Sequence, residues 1–339
     1  FTIMNPSLII SILMPVKNTA LFLNECLDSI VNQNELNFEL IAIDDHSTDE
    51  SYSILNNYSN KDSRIKVFKN PGKGIIEALR LAYKKSSGIL ITRMDSDDIM
   101  SLHKLKRLKS NLTAFGVGHI ALGKVKYFSE ITLGEGFIRY EHWLNTLIES
   151  GTNFNEIYKE CVIPSPCWMV YREDLDRCEA FIPDNYPEDY DLCFRFYKHA
   201  LKVVGIDKVL HHWRDRSNRI SRTWDEYKDN RYFDMKLSYF YDIDRDTSRP
   251  LVLWGTGRNG KDMAKLLIER EDNFHWVSDN KRKVGVNIYD IKTEHFDCIQ
   301  QLDNPQIMIV VASPDGKQDI EVVLNSWNKK PMTDYWFFL

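Results

Sequence analysis

Three acidic clusters carry most of the chemistry this chain could do: Asp44-Asp45, Asp95-Ser96-Asp97-Asp98 and Glu188-Asp189. Asp95 and Asp97, two positions apart, offer hard oxygen ligands to a divalent cation. Such a cation can bridge phosphate oxygens and offset the charge of a leaving diphosphate. The same run is also good turn and N-cap chemistry, so its spacing alone leaves both readings open. Asp44-Asp45 alone reads as a helix entrance. A carboxylate at Glu188 or Asp189 that is not a metal ligand can serve as general base for an attacking hydroxyl. Acids in the first turn of a helix would look the same.

The elements around these clusters narrow the choice. Ile9 to Leu13, Leu40 to Ile43 and Ile89 to Thr92 are short, mainly apolar runs of strand length, and Ile65-Lys66-Val67-Phe68 reads as a further strand. Between them, Leu23, Leu27, Ile30 and Val31, then Ile75, Leu79, Ala82 and Tyr83, recur at helical spacing. Ser47 and Glu50 have capping-box spacing, which predicts a helix start at Ser47. Strands alternating with helices predict an α/β fold with a mainly parallel sheet covered on both faces. Ligands of such sheets bind at the carboxyl ends of strands, where Asp44-Asp45 and Asp95 to Asp98 fall. Two acidic strand ends facing one crevice are costly unless a cation or donors compensate. Phe137 to Ile148 and Pro187 to Arg195 read as helices, and Leu201 to Ile206 as a further strand.

Composition sets the frame. With 339 residues, two domains are expected, and a polar stretch near 242–250 marks the boundary, giving 1–245 and 246–339. The 43% hydrophobic content is that of a globular protein. A formal net charge of −5 lacks the basic footprint of a nucleic-acid binder. Six scattered cysteines without a C-x-x-C pair suggest neither a zinc cage nor a disulfide framework, and fit a reducing compartment. No apolar span of 18 residues occurs. A cytoplasmic location follows as the expectation, at the inner face of the membrane if the protein associates peripherally.

Taken in order, Pro15-Val16-Lys17-Asn18, Asp44-Asp45-His46-Ser47-Thr48-Asp49, Asn70-Pro71-Gly72-Lys73-Gly74, Asp95-Ser96-Asp97-Asp98 and Glu188-Asp189-Tyr190-Asp191-Leu192 resemble family 2 glycosyltransferases of the GT-A fold. The resemblance covers roughly residues 7–223. It implies an inverting, metal-dependent transferase that moves a sugar from a nucleotide-sugar, most often a UDP-sugar, to a glycan or lipid-linked glycan in polysaccharide or surface-glycan synthesis. By position, Pro15, Val16 and Lys17 would line the nucleobase and ribose pocket. Asp45, with Asp44 beside it, would hold the base, and Lys73 would lie near the nucleotide. Asp97 would bind Mn²⁺ or Mg²⁺, with Asp95 nearer the ribose. Asp189 would be the base and Glu188 its orienting neighbour, with Asp191 the rival base. The run His211-His212-Trp213-Arg214-Asp215-Arg216 resembles the family's late segment that folds over the donor. Arg216 stands where a metal-binding His is usual, and an always-protonated guanidinium cannot ligate a metal. Arg214 and Arg216 would then contact the donor phosphates, and either Asp97 would hold the metal together with donor and water, or His212 would substitute as a ligand. Ser165 stands before Pro166 where relatives often carry His. Among Trp143, Trp168 and Trp213, which could each stack on a sugar or simply pack, Trp168 is the expected acceptor platform.

After the boundary the pattern restarts. Leu251 to Trp254 read as a strand, followed by Gly255-Thr256-Gly257-Arg258-Asn259-Gly260 and a helical face at Met263, Leu266 and Leu267. His275 to Val277 and Ile307 to Val311 are further strands, making a small Rossmann-like unit. Its Gly-x-Gly-x-x-Gly has the context of a nucleotide-binding turn, with Asp279 near the end of the next strand. A structural or assembly role is the competing reading. Two alternatives to glycosyl transfer stand beside the main one: a sugar nucleotidyltransferase, which would need a glycine-rich basic loop after the first strand, and a nucleotide-sensing module built on the C-terminal glycine turn.

Overall fold

The computed structural model describes residues 9–129, 133–216 and 231–339. The chain divides into two compact units: Phe1–Phe154 with Cys161–Lys228, and Asn155–Glu160 with Asp229–Leu339. The second unit therefore begins ahead of residue 246 and takes in a short segment near residue 155.

The first unit is built on strands β1 (Ile10–Val16), β2 (Phe38–Asp44), β3 (Ile65–Lys69), β4 (Leu90–Arg93), β5 (Ile99–Met100), β6 (His119–Phe128), β7 (Trp168–Tyr171) and β8 (Lys202–Arg214). Their order in the sheet is β3-β2-β1-β4-β7-β6-β8-β5. The first four pair in parallel, β7 runs antiparallel to β4 and β6, β8 is parallel to β6, and β5 antiparallel to β8. β1 and β2 are buried along almost their whole length, which is why they read as continuous apolar runs. Helices α1 (Ala20–Val31), α2 (Ser51–Ser59), α3 (Ile75–Lys85), α4 (Lys104–Phe115), α5 (Glu135–Ser150), α6 (Arg172–Arg177) and α7 (Glu188–Lys198) flank the sheet. α1 buries Leu23, Cys26, Leu27 and Ile30, the 3.6-residue stripe expected of it.

The second helix corrects the capping-box reading. It starts at Ser51, not Ser47. The Ser47 hydroxyl instead accepts from the Asn18 N–H at 3.1 Å, and Asp49 accepts from the N–H groups of Ala20 and Ser51, both at 3.0 Å. The polar residues after β2 thus tie down the loop after β1 before any helix begins.

The second unit contains α8 (Phe233–Ile243), β9 (Leu251–Trp254), α9 (Arg258–Glu269), β10 (Phe274–Ser278), the hairpin β11 (Asn287–Ile288) and β12 (Ile291–Lys292), β13 (Glu294–His295), β14 (Gln306–Ile309), α10 (Pro314–Ser326) and β15 (Tyr335–Phe337). Its parallel sheet has the order β13-β10-β9-β14-β15. Val252, Trp254, Val277, Ile307, Ile309, Ile320 and Leu324 form its core. Among the described residues no helix of the chain is long and apolar enough to cross a membrane.

Candidate active site

Register places the acids. Val16 pairs opposite Asp44 and Leu13 opposite Arg93, so β2, β1 and β4 end side by side and release Asp45, Lys17 and Asp95 at one edge of the sheet. Thr19 Oγ1 donates to Ser96 Oγ at 3.0 Å, joining the loops after β1 and β4.

At the β2 end, the Asp45 carboxylate organises the glycine loop. It accepts from Lys17 Nζ (3.1 Å), Asn70 Nδ2 (2.7 Å) and the Gly74 N–H (3.0 Å). Burial favours its neutral form, but these donors outweigh that and hold its pKa below the ordinary value. Gly74 has φ +96°, a conformation open to glycine, and Lys73 beside it is exposed. Asp44 is 4% exposed, and its Oδ1 has no hydrogen-bond partner among the described residues. The exposure of Pro15 is partial and Val16 is buried.

Arg93, the last residue of β4, joins the acids after β4 to those at the start of α7. Its Nε donates to Asp95 Oδ1 at 3.0 Å and its Nη1 to Glu188 Oε1 at 2.9 Å. Burial works against the charge, but Asp95, Glu188 and Asp189 surround it and raise its pKa further. Asp189 stands next to this pair at the start of α7. Burial first, and the Glu188 charge second, push its carboxyl up to about 7 against the pull of Arg93. A carboxyl poised near neutrality is suited to taking a proton. Asp191 is differently placed: Arg195 Nε donates to it at 2.7 Å and Asn185 Nδ2 at 2.9 Å, so it fastens the helix start.

The acid loop is braced from beneath. Lys104, His211 and Asp98 are each no more than 1% exposed. Lys104 Nζ can only donate, so His211 Nδ1 accepts from it (3.0 Å), and the His211 Nε2–H donates to Asp98 Oδ2 (2.9 Å). Burial lowers the Lys104 pKa. The Arg214 N–H donates to Asp98 Oδ1 at 2.7 Å, and its Nε to the Asp97 carbonyl at 2.8 Å. The Arg214 guanidinium also binds Glu25. Arg214 therefore holds the loop rather than standing open to a donor. Arg216 Nε donates to Asp97 Oδ2 at 2.7 Å.

Two expectations do not survive this geometry. Trp168 is 2% exposed and packs edge-on against Phe196, so no sugar ring can lie on it. Its β7 position makes it core. Trp213 is likewise stacked on Tyr127 at 5.0 Å, and Trp143 lies against Tyr140. His212 sits edge-on to Phe128, where burial and then Lys126 lower its pKa. No group of three metal-ligating side chains forms among the described residues, so His212 does not complete a shell with Asp95 and Asp97. The part of the late basic segment from Ser217 to Arg222 lies outside the described residues.

The donor set still suits a hard cation shared with a substrate. Asp97 Oδ1 and Asp95 Oδ2 carry no hydrogen bond among the described residues. One or two carboxylates, completed by phosphate oxygens and water, are the usual way Mg²⁺ is held beside a nucleotide. Arg93, Ser165, Trp168, Glu188, Asp189 and Cys193 border a pocket of about 10 Å³. Its size admits no sugar ring. The Ser165 hydroxyl in this wall is buried without a hydrogen-bond partner among the described residues.

Comparison with known proteins assigns the scaffold. Residues 11–178 match the family described as glycosyl transferase family 2. Over these residues the chain belongs to glycosyl transferase family 2. The glycosyltransferase GlyA of Streptococcus pneumoniae is 27% identical over 226 residues, 64% of this chain and 32% of GlyA. The poly(ribitol-phosphate) beta-glucosyltransferase of Bacillus spizizenii is 37% identical over 125 residues, 34% of this chain and 19% of that protein. The chain thus spans about a third or less of the length of these two relatives. S. aureus TarS 1–349, solved in complex with UDP-GlcNAc, superposes with a TM-score of 0.54 at 17% identity, covering 77% of this chain and 72% of TarS 1–349. That likeness shows the GT-A type of fold.

Proposed function

We propose that the first unit transfers a sugar from a nucleotide-sugar to an acceptor hydroxyl in one inverting displacement. The observation that carries this reading is Arg93. One buried guanidinium links Asp95, on the loop suited to a diphosphate, to Glu188, beside the carboxyl that can act as base. Donor-side and acceptor-side chemistry therefore share one site.

In the reaction, Lys17 and the loop ordered by Asp45 would border the nucleoside. Asp97, with Asp95 beside it, would hold a divalent cation whose charge offsets that of the leaving diphosphate. Asp189 takes the proton of the acceptor hydroxyl as its oxygen bonds to the anomeric carbon. The bond from that carbon to the diphosphate breaks on the opposite face, and the configuration inverts. Glu188, fixed by Arg93, keeps Asp189 basic enough to accept the proton. Arg216 can exchange its Asp97 contact for a donor phosphate, since a guanidinium fork suits either partner.

UDP-GlcNAc in TarS favours a UDP-sugar as donor, and the Bacillus spizizenii relative favours a hydroxyl on a cell-surface polymer as acceptor. The test is a panel of nucleotide-sugars with Mn²⁺ or Mg²⁺, with and without chelator, followed by release of nucleoside diphosphate. Release from one UDP-sugar that stops on chelation is the expected result. Release from none of the donors, or release indifferent to chelator, would overturn the donor or the metal part of the reading respectively.

A further inference from the structure

The second unit holds a cavity that glycosyl transfer does not use. Its strands lie in the order β13-β10-β9-β14-β15. Taken along the chain, this sheet runs to one side of β9 through β10 and β13, then to the other through β14 and β15. The carboxyl end of β9 is thus the point where the connections diverge and leave a crevice.

The glycine turn 255–260 sits there, and its three glycines differ. Gly255 has φ +129°, and a Cβ there would meet the Val310 carbonyl at 3.2 Å. A Cβ on Gly260 would fall 1.9 Å from the Gly255 carbonyl, so close packing of α9 onto the turn demands glycine. Gly257 is under no such demand: a Cβ there meets nothing within 4 Å. The space beside it belongs to a cavity of about 370 Å³, within the usual range for small-molecule sites.

The charge in its walls is one-sided. Arg258, Lys261 and Lys283 line it, and none pairs with a carboxylate among the described residues. Asp262, the acid in the lining, is taken by Arg231 at 2.6 Å. Three unpaired cations around one cavity repel one another unless an anion joins them. The first turn of α9 adds to this, since Gly257 gives it no side-chain cap and its N–H groups have no partner within the helix. Tyr289, at the tip of the β11–β12 turn where φ is +53° and then +63°, brings an aromatic ring to the same cavity, stacked on Trp276. Asp279 directly follows β10, the position from which an acid can accept a ribose hydroxyl.

We propose that this cavity binds the diphosphate of a nucleotide. The phosphates lie against the α9 N-terminus between Arg258, Lys261 and Lys283, and Tyr289 contacts the nucleoside. This site is distinct from the donor site of the first unit and needs no divalent cation.

The test uses the intact chain in EDTA. ADP, UDP and NAD are titrated separately by calorimetry, and amide hydrogen exchange locates any binding. At least one of the three binds with one site per chain and protects amides within 256–261. Lys261→Glu, which suits the first turn of a helix, weakens that binding about tenfold or more. Gly257→Leu, which fills the open space without backbone strain, abolishes it, and Asp97→Ala leaves it unchanged. The proposal is overturned if none of the three saturates the protein up to about 1 mM, a binding free energy near −4 kcal/mol. It is equally overturned if protection falls outside 256–261, or if both second-unit variants melt and bind like wild type.

Discussion

At the scale of single residues, the proposed transfer depends on how Asp189 keeps its proton affinity near neutrality. Its carboxyl stands at about 7, so below that pH it is protonated and cannot act as base. Transfer should therefore rise with pH through about 7 and level off above it. Glu188→Gln removes the like charge, so the rise should move down in pH. Arg93→Met removes the opposing charge, so the rise should move up. A pH–rate profile of kcat/KM for the three proteins checks both directions, and shifts of the same sign would contradict the electrostatic argument. Much of this site was legible as residue types: Asp45, Asp95, Asp97, Glu188 and Asp189 do collect around one edge of the sheet. Arg93 carries a fainter signal, that a charged residue ending the apolar run Leu90-Ile91-Thr92 has to be paired to be buried. Trp168 misled for the opposite reason. An aromatic beside a proline-rich segment is open to either role until its strand neighbours are known, and β7 lies between β4 and β6.

At the scale of elements, the site depends on strands held in register from their far ends. Glu39, at the start of β2, accepts from Ser11 Oγ of β1 at 2.6 Å, Lys66 Nζ of β3 at 2.6 Å, and the Gly88 N–H ahead of β4 at 3.2 Å. Burial opposes its ionisation, but Lys66, Ser11 and Ser87 bring its pKa down to about 2. A carboxyl whose folded pKa is depressed lends stability above its unfolded value, near 4.3, and that stability is lost as pH falls toward 2. Glu39→Gln should cost about 2 kcal/mol at pH 7, with little further loss attributable to this position in acid. Denaturant melts at pH 7 and pH 3 measure this. An equal penalty at both pH values would contradict it. Of the strands in this clamp, β1, β2 and β4 are readable because strands buried on both faces are nearly continuous apolar runs. The helix after β2 is not, because Ser47 and Asp49 serve the neighbouring loop, and capping chemistry in sequence does not reveal which backbone it caps. The long β8 is legible only over Leu201 to Ile206, since its remainder, Asp207 to Arg214, has no strand period in its mix of charged, apolar and histidine residues, and its pairing comes from β5 and β6.

At the scale of the whole molecule, the proposed donor is anionic, while the chain has a net charge of −5 and clustered acids at its strand ends. The proposed cation reconciles the two, so donor binding to the first unit should weaken on chelation by about tenfold or more. Fluorescence titration with a UDP-sugar, with and without EDTA, measures it. The split into two units follows from chain length, but its position does not. Helix α8, with Phe233, Leu237 and Phe240 buried, belongs with the second unit, although its sequence precedes the polar stretch expected to divide them. An amphipathic helix carries no mark of the core it will cover. The central claim is that the first unit transfers a sugar with Asp189 as its base. The most direct measurement is kcat for transfer by Asp189→Asn, in protein whose circular dichroism and donor affinity match wild type. The account predicts a fall of about 10²–10⁴-fold, and a rate within threefold of wild type would contradict it.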